Sequence, residues 1–133
     1  MLSMNYKLGK NYKLCSKTAI QELFDSGTSV KCYPFVAIIK EMELDTEIPF
    51  KVVFSAPKRT FKKDVQRNAI KRKSKEAFRL NKNILETYLK QNKKQIALFL
   101  VYSTLEEFDH IILQKKTKKL FDKIIKKLDE PHT

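Results

Sequence analysis

A basic stretch without glycine or proline, from Lys62 to Leu80, constrains the fold of this chain most strongly. No residue in it breaks a helix, and its apolar side chains recur at helical spacing, which predicts a helix over 62–80. One side of that helix is apolar and must pack against another layer of the protein. Phe78 is predicted among the cations and Lys73 among the apolar residues. The apolar side is predicted to contain Val65, Ala69, Ile70, Ala77 and Leu80.

Short apolar runs on both sides of this helix are typical of strands. They predict strands over 33–40, 50–55 and 96–102, with an extra strand near 29–31. The order α-β-β-(β)-α-β-α indicates an α+β fold, a two-layer sandwich in which helices pack on a small mixed sheet. The other predicted helices are 17–25, between a cap at Ser16 and Gly27; 84–91; and a C-terminal helix from a capping box at Thr104 and Glu107 to Leu128.

The length of 133 residues suits a single domain over 1–133. We expect residues 1–11 to form a flexible N-terminal extension and residues 129–133 a flexible tail. The longest apolar run, 96–102, is too short to cross a bilayer, and the N-terminus lacks the apolar core of a signal peptide. Cys15 and Cys32 are not in a CxxC pair and suit a reducing compartment, so the expectation is a cytoplasmic protein without a membrane partner.

The charge of the chain points to a polyanionic partner. The chain has 28 Lys and Arg against 15 Asp and Glu, a formal net charge of +13. Nine of those net charges fall within 58–82, where Asp64 and Glu76 are the acids and Glu76 is predicted to point away from the cationic side. Asn68 could bind a base edge or a 2′-hydroxyl because its amide both donates and accepts. A second lysine run, 115–127, fits a solvated face or an additional RNA contact.

The residues Arg67 to Arg79, with the pattern Arg-Asn-x-x-Lys-Arg-x-x-Lys-Glu-x-Phe-Arg, resemble the signature of the bacterial ribonuclease P protein subunit. That signature usually has Arg where this chain has Lys75, which keeps the charge without the bidentate fork. The strand 50–55 and the turn Pro57-Lys58-Arg59 are also similar to the family. The resemblance implies a left-handed βαβ crossover, against the usual right-handed rule.

The same resemblance implies a function and a set of site residues. Members bind a catalytic RNA as a monomer in a 1:1 complex and help it remove the 5′ leader from precursor tRNA, while the RNA performs the hydrolysis with Mg²⁺. No catalytic residue or metal ligand is therefore expected in this chain, and Mg²⁺ would be held mainly by the RNA and the substrate. The implied leader cleft contains Ile20, Phe24, Val36 and Ile38, of which Phe24 alone is aromatic. The implied RNA-binding residues are Lys58, Arg59, Lys62, Lys63, Arg67, Asn68, Lys71, Arg72, Lys75 and Arg79.

If the residues are considered without the resemblance, two alternative functions remain. A DNA-binding protein could place the basic helix in a major groove, but the sequence has neither a paired helix-turn-helix pattern nor a dimerisation zipper. A stand-alone metal-dependent nuclease would need acids that converge near the basic helix, whereas acids cluster in the turn-like stretch 41–47.

Overall fold

The computed structural model of the protein describes residues 12–44, 47–57 and 62–130. These residues form three helices and four strands in the order α-β-β-β-α-β-α, which confirms the predicted α+β fold and the extra strand near 29–31. The elements are α1 (Lys17–Ser26), β1 (Thr28–Cys32), β2 (Phe35–Glu41), β3 (Phe50–Ser55), α2 (Asp64–Gln91), β4 (Ile96–Tyr102) and α3 (His110–Asp129).

The strands form one mixed sheet in the order β1-β2-β4-β3. The β1–β2 and β2–β4 pairs are antiparallel, and the β3–β4 pair is parallel, so β3, α2 and β4 make a βαβ unit. The left-handed crossover that the resemblance implies for this unit stays a prediction. The strand β4 lies between two partners, as its continuous apolar sequence predicts for a buried position inside a sheet.

The main core lies between one face of the sheet and the two helices α2 and α3. Phe78 is at its centre, with ring centroids 5.4 Å from Phe50, 5.4 Å from Phe54 and 4.8 Å from Phe121. All three ring pairs meet edge to face, an arrangement that aromatic quadrupoles favour. The helix α1 covers part of the other face, where its Leu23 is fully buried.

The prediction of two helical stretches, 62–80 and 84–91, is wrong because α2 is one helix of 28 residues. The predicted apolar side is confirmed at Ile70 and Ala77, which are buried, and is wrong at its two edges. Val65 is 79% exposed and Leu80 is 36% exposed, whereas Phe78, predicted among the cations, is fully buried. The physical reason is that burying one large aromatic ring removes more apolar area from water than burying a valine, so Phe78 sets the rotation of the helix.

The beginning of α3 also differs from the prediction. The helix begins at His110, and the side chain of Asp109 caps it by accepting from the Ile112 N–H at 2.9 Å. Thr104 makes a local turn instead, since its hydroxyl accepts from the Glu106 N–H at 3.1 Å. The Tyr102 hydroxyl donates to the Glu106 carbonyl, which keeps this segment out of the helix.

The ends of α1 agree with the prediction. The Ser16 hydroxyl accepts from the Ala19 N–H at 3.2 Å, and the Gly27 N–H donates to the Leu23 carbonyl at 2.9 Å. Gly27 is needed for close approach, because a Cβ atom there would lie 2.7 Å from the Ile38 side chain. The strand β2 begins at Phe35 instead of at residue 33, since Tyr33 and Pro34 form the turn that joins β1 to β2.

The predicted flexible ends fall largely outside the described residues, which exclude 1–11 and 131–133. Asp129, where the tail was predicted to begin, is the last residue of α3 and accepts a hydrogen bond of 2.5 Å from the Tyr88 hydroxyl.

Candidate RNA-binding surface and sheet cleft

The first half of α2 presents a cationic surface. Four-residue spacing places Arg67, Lys71, Lys75 and Arg79 in one row and Asn68 and Arg72 in the next row. Arg67 and Arg79 are half-buried, and the other members are exposed. The structure therefore brings six predicted RNA-binding residues onto one side of the helix. We define the motif surface as Arg67, Asn68, Lys71, Arg72, Lys75 and Arg79.

Two carboxylates reach the ends of the motif surface. Asp64 pairs with Arg67, and Glu76 pairs with Arg79. The hydrogen bond from Arg79 lowers the pKa of Glu76 below its usual range. The prediction that this side lacks carboxylates, because Glu76 points away, is wrong: an Arg side chain at i+3 is long enough to reach the acid.

The cations between these two pairs are the distinctive part of the surface. Lys71, Arg72 and Lys75 are exposed and have no carboxylate within ion-pair distance among the residues that the structure describes. They lie within five residues of one another on a helix held rigid by the core below it. Repulsion between neighbouring like charges destabilises a helix slightly, and a bound anion would relieve it.

The basic residues before α2 extend this surface toward the start of the helix. Lys62 and Lys63 are exposed, and the side chain of Lys63, the N-cap residue, does not cap the helix. The free N–H groups and the helix dipole favour an anion at this end. Lys58 and Arg59 lie outside the described residues.

The second face of the sheet carries the predicted cleft residues. Ile20 and Ile38 pack beside the small buried cluster of Leu14, Leu23 and Ala97. The Phe24 side chain is 54% exposed. Val36 lies on the same face as Ile38, because alternate residues of a strand share a face. We define the sheet cleft as Ile20, Phe24, Val36, Ile38 and Phe99.

Phe99 is a member of the sheet cleft that sequence reasoning missed. It pairs with Ile38 across β2 and β4, and its ring centroid lies 4.9 Å from that of Phe24 in an edge-to-face contact. Phe99 therefore adds a second aromatic ring beside Phe24, at a position outside the predicted set of cleft residues. Because every residue of β4 is apolar, its sequence does not show which residues face which side of the sheet. Only the register of β4 with β2 assigns Phe99 to the face of Ile38.

A buried polar cluster ties the beginning of the described chain to the second half of α2. The Tyr12 hydroxyl donates to Glu86 Oε1 at 2.6 Å, and Lys82 Nζ lies 3.7 Å from the same oxygen. The Lys82 ammonium also lies 4.5 Å from the centroid of the Tyr12 ring, in cation–π geometry. Lys82 is fully buried. We name Tyr12, Lys82 and Glu86 the Lys82 cluster.

The Lys82 cluster fixes the segment next to β3, where the Leu14 N–H donates to the Val52 carbonyl at 3.1 Å. Burial raises the pKa of the Tyr12 hydroxyl, and its bond to Glu86 adds to the rise. Burial lowers the pKa of Lys82, and the Glu86 carboxylate opposes that shift. In sequence Lys82 resembles any solvated lysine, so no local signal could have revealed this cluster.

The described residues do not fit a metal held by the protein. Within 12–44, 47–57 and 62–130, no three His, Cys, Asp or Glu side chains come close enough together to hold an ion. The acids nearest the motif surface, Asp64 and Glu76, are engaged by arginines. In the same part of the chain, no helix is long and apolar enough to cross a membrane.

Comparisons with known proteins agree with this architecture. A solved RNase P protein from Staphylococcus aureus superposes with a TM-score of 0.64 at 19% identity, over 84% of this chain and 93% of that chain. The RNase P protein from Thermotoga maritima gives a TM-score of 0.65 at 20% identity, over 82% and 94%. At these identities the likeness establishes the fold.

Sequence comparisons give the family. The ribonuclease P protein component of Porphyromonas gingivalis is 28% identical over 105 residues, 77% of each chain. The corresponding protein of Chlorobaculum tepidum is 38% identical over 73 residues, 52% of this chain and 47% of that protein. The family model described as Ribonuclease P matches residues 8–125. The chain therefore belongs to the ribonuclease P protein family, the protein components of an endoribonuclease complex in tRNA processing.

Proposed function

We propose that this chain is the RNA-binding subunit of ribonuclease P, which binds the catalytic RNA through the motif surface and the 5′ leader of precursor tRNA through the sheet cleft. One observation carries the first part: Lys71, Arg72 and Lys75 are exposed without carboxylate partners in the described part of the chain, on a helix fixed by the core. Phosphate groups would neutralise these three charges.

The motif surface has the chemistry that RNA requires. Lysine and arginine bind phosphates, and the arginine fork can bind two oxygens of one phosphate. Asn68 is exposed beside them, and its amide can bind a base edge or a 2′-hydroxyl. The surface can therefore combine phosphate contacts with one contact that depends on the nucleotide.

The sheet cleft suits an unpaired strand. Phe24 exposes about half of its surface, and Phe99 supports it edge-on from β4. An exposed aromatic ring can stack on a base, a contact worth about 1–3 kcal/mol. Ile20, Val36 and Ile38 supply an apolar floor, and a base in a duplex could not reach it.

In this proposal the catalytic RNA performs the hydrolysis, with Mg²⁺ held mainly by the RNA and the substrate, and one copy of this chain binds one RNA. Asp64 and Glu76, the acids nearest the motif surface, each pair with an arginine, which is consistent with a role of this surface in binding and not in hydrolysis. The protein contributes binding and orientation of the substrate.

The decisive experiment compares cleavage of precursor tRNA by the protein alone, by the RNA in Mg²⁺, and by both together. We expect no cleavage by the protein alone, and stronger binding and faster cleavage with both than with the RNA alone. Cleavage by the protein alone would contradict the proposal.

The cleft is tested separately with Phe24→Ala in the reconstituted complex. The variant should weaken binding of precursor tRNA by at least about fivefold and leave mature tRNA binding unchanged, because it removes a stacking contact with the leader. Leu105→Ala is the matched control, since Leu105 is 67% exposed and lies outside the cleft. An equal loss for both RNAs, with a lower melting temperature, would show that Phe24 is only part of the core.

A further inference from the structure

The helix α3 carries a second concentration of positive charge. It contains seven lysines against two carboxylates, Asp122 and Asp129. Lys127 pairs with Glu130 at 3.4 Å, and the Lys123 ammonium donates to the Lys31 carbonyl at 2.9 Å. Four further lysines are exposed and make no ion pair within the described ranges. We define the α3 lysine face as Lys115, Lys118, Lys119 and Lys126.

These lysines point away from the core. The opposite side of α3 is buried through Leu113, Leu120 and Phe121. A shallow depression of about 500 Å³ lies on the exposed side. Asp122 is the one carboxylate among its lining residues, so positive charge dominates the depression. Its lining residues are Ile112, Lys115, Lys116, Lys118, Lys119 and Asp122.

The α3 lysine face is separate from the motif surface. The helix α2 meets α3 through Asn81, whose amide donates to the Gln114 carbonyl at 3.1 Å, and through Tyr88, which donates to Asp129. The motif row Lys71–Lys75–Arg79 instead shares its side of α2 with Lys82, which the Tyr12 ring covers. The motif row and the contacts with α3 therefore lie on different sides of α2.

We propose that the α3 lysine face is a second RNA-binding surface that binds the phosphate backbone of a duplex. Lysine is a point charge that suits phosphates and reads no base sequence. Between Lys115 and Lys126 the exposed side has no aromatic ring on which an unpaired base could stack. These two lysines lie about 16 Å apart along the helix axis, so the face presents a row of fixed positive charges to a phosphate backbone.

A membrane surface is the competing partner for a basic amphipathic helix. Such a helix needs a free apolar side to insert between lipids. In α3 that side is buried in the core, and the exposed Ile111 and Ile112 lie at one end of the helix. The packing therefore favours RNA.

The proposal goes beyond the function assigned to the motif surface and shares with it only the choice of RNA as the polyanion. The test is binding of a blunt RNA duplex of about 16 base pairs at several salt concentrations. The test variant is Lys115→Gln with Lys119→Gln. The matched control is Lys90→Gln with Lys93→Gln, which removes the same charge at exposed positions near the end of α2.

The test variant should weaken duplex binding roughly tenfold and flatten the log–log salt slope by about two units, one for each lost phosphate contact. The control should change the affinity less than about twofold. The same loss should appear when Lys71→Gln and Arg72→Gln are already present, because the two surfaces act separately. Unchanged melting temperatures should accompany all of these changes.

Three results would overturn the proposal. Equal losses in the test and control variants would show a simple effect of net charge. An equal loss for a single-stranded RNA of the same length would remove the preference for duplex. A loss confined to vesicles with anionic lipids would assign the face to a membrane. Precursor cleavage with the catalytic RNA, measured in parallel, separates failure here from failure of the proposed function.

Discussion

The two halves of α2 differ in whether a lysine on the same side of the helix is exposed or buried. Lys75 and Lys82 are seven residues apart and lie on the same side of the helix. Lys75 is exposed, whereas Lys82 is fully buried under the Tyr12 ring and beside Glu86. What separates a cation that can bind a ligand from one that holds the fold together is the segment that covers it, not its place in the helical repeat.

The difference has an energetic basis. Removing an ammonium from water costs several kcal/mol unless a counter-charge and other polar contacts compensate. Glu86 and the Tyr12 ring provide that compensation in the second half of α2. In the first half, Lys71 and Lys75 remain hydrated and their charge remains available to a polyanion.

The largest expected effect comes from removing the counter-charge. Glu86→Ala should lower the free energy of unfolding by about 3 kcal/mol, because it takes the carboxylate away from a buried ammonium. Urea unfolding measures this loss. Glu130→Ala is the control and should cost less than about 0.5 kcal/mol, since Glu130 pairs with the half-exposed Lys127. Equal losses would show that burial of Lys82 does not depend on Glu86.

Alkaline pH should act on the Lys82 cluster and spare the motif arginines, which do not titrate. Burial raises the pKa of Tyr12, and it raises the pKa of Tyr88 and of Tyr102 to about 12. The unfolded chain loses these protons near pH 10 while the folded chain keeps them, so stability falls as the pH rises above about 10. The fully buried Tyr102 alone should contribute about 1.4 kcal/mol per pH unit.

Lys82 changes the pH dependence of stability in the opposite direction to the tyrosines, because its pKa is lowered in the folded state. Below about pH 10.4, the ordinary lysine value, the unfolded chain holds the Lys82 proton more tightly than the folded chain, so the contribution of Lys82 to stability rises with pH. Above that value the contribution is constant. The net fall should therefore steepen above about pH 10.5. Tyr12→Phe should make the fall shallower in urea unfolding between about pH 9 and 11. An unchanged slope would mean that Tyr12 does not contribute.

Substitution of the motif cations should weaken RNA binding and leave stability unchanged, whereas changes in the Lys82 cluster should alter stability. Lys71→Gln and Arg72→Gln should each weaken binding to the catalytic RNA by about 1 kcal/mol, roughly fivefold, and flatten the salt slope by about one unit. Their unfolding free energy should stay unchanged because both side chains are exposed. Lys82→Met is the paired variant, and it should alter stability without altering the salt slope. A flattened slope in Lys82→Met would break the contrast between the two halves.

The smallest effect is expected at the boundary between the halves. Ser74 is buried, and its hydroxyl has no hydrogen-bond partner among the described residues. Ser74→Ala should therefore stabilise the protein by up to about 1 kcal/mol, since it removes an unsatisfied polar group and improves helix propensity. Thermal unfolding measures the gain, and a loss of stability would indicate that the hydroxyl has a partner.

The sequence was sufficient where the structure is decided locally. Strand and helix types follow from periodicity, and the Ser16 cap follows from its own turn. The predicted break in α2 failed because contacts remote in sequence hold that stretch helical: Asn81 bonds to the Gln114 carbonyl, and Tyr12 covers Lys82. These contacts join residues that lie far apart in the chain, and no window of the sequence contains both partners.

The residues of the candidate site also fall into those that local spacing predicts and those that depend on contacts remote in sequence. The motif surface was predictable because its spacing is contained within α2. Phe99 was not, because only the register between β2 and β4 shows which face it occupies. The Asp64 and Glu76 pairs were missed because a helical wheel gives directions but not the reach of an arginine side chain.

The central position of β4 has a consequence for the biosynthesis of the protein. The strands β2 and β3 both pair with β4 and not with each other, yet β4 is the last strand to be made. A nascent chain that ends before Ile96 has β1 and β2 as a hairpin but lacks the strand that joins β3 to them, so it cannot close either the sheet or the core. Pairing over such long sequence separation slows folding and leaves strand edges open to aggregation. Folding must therefore wait until β4 has left the ribosome.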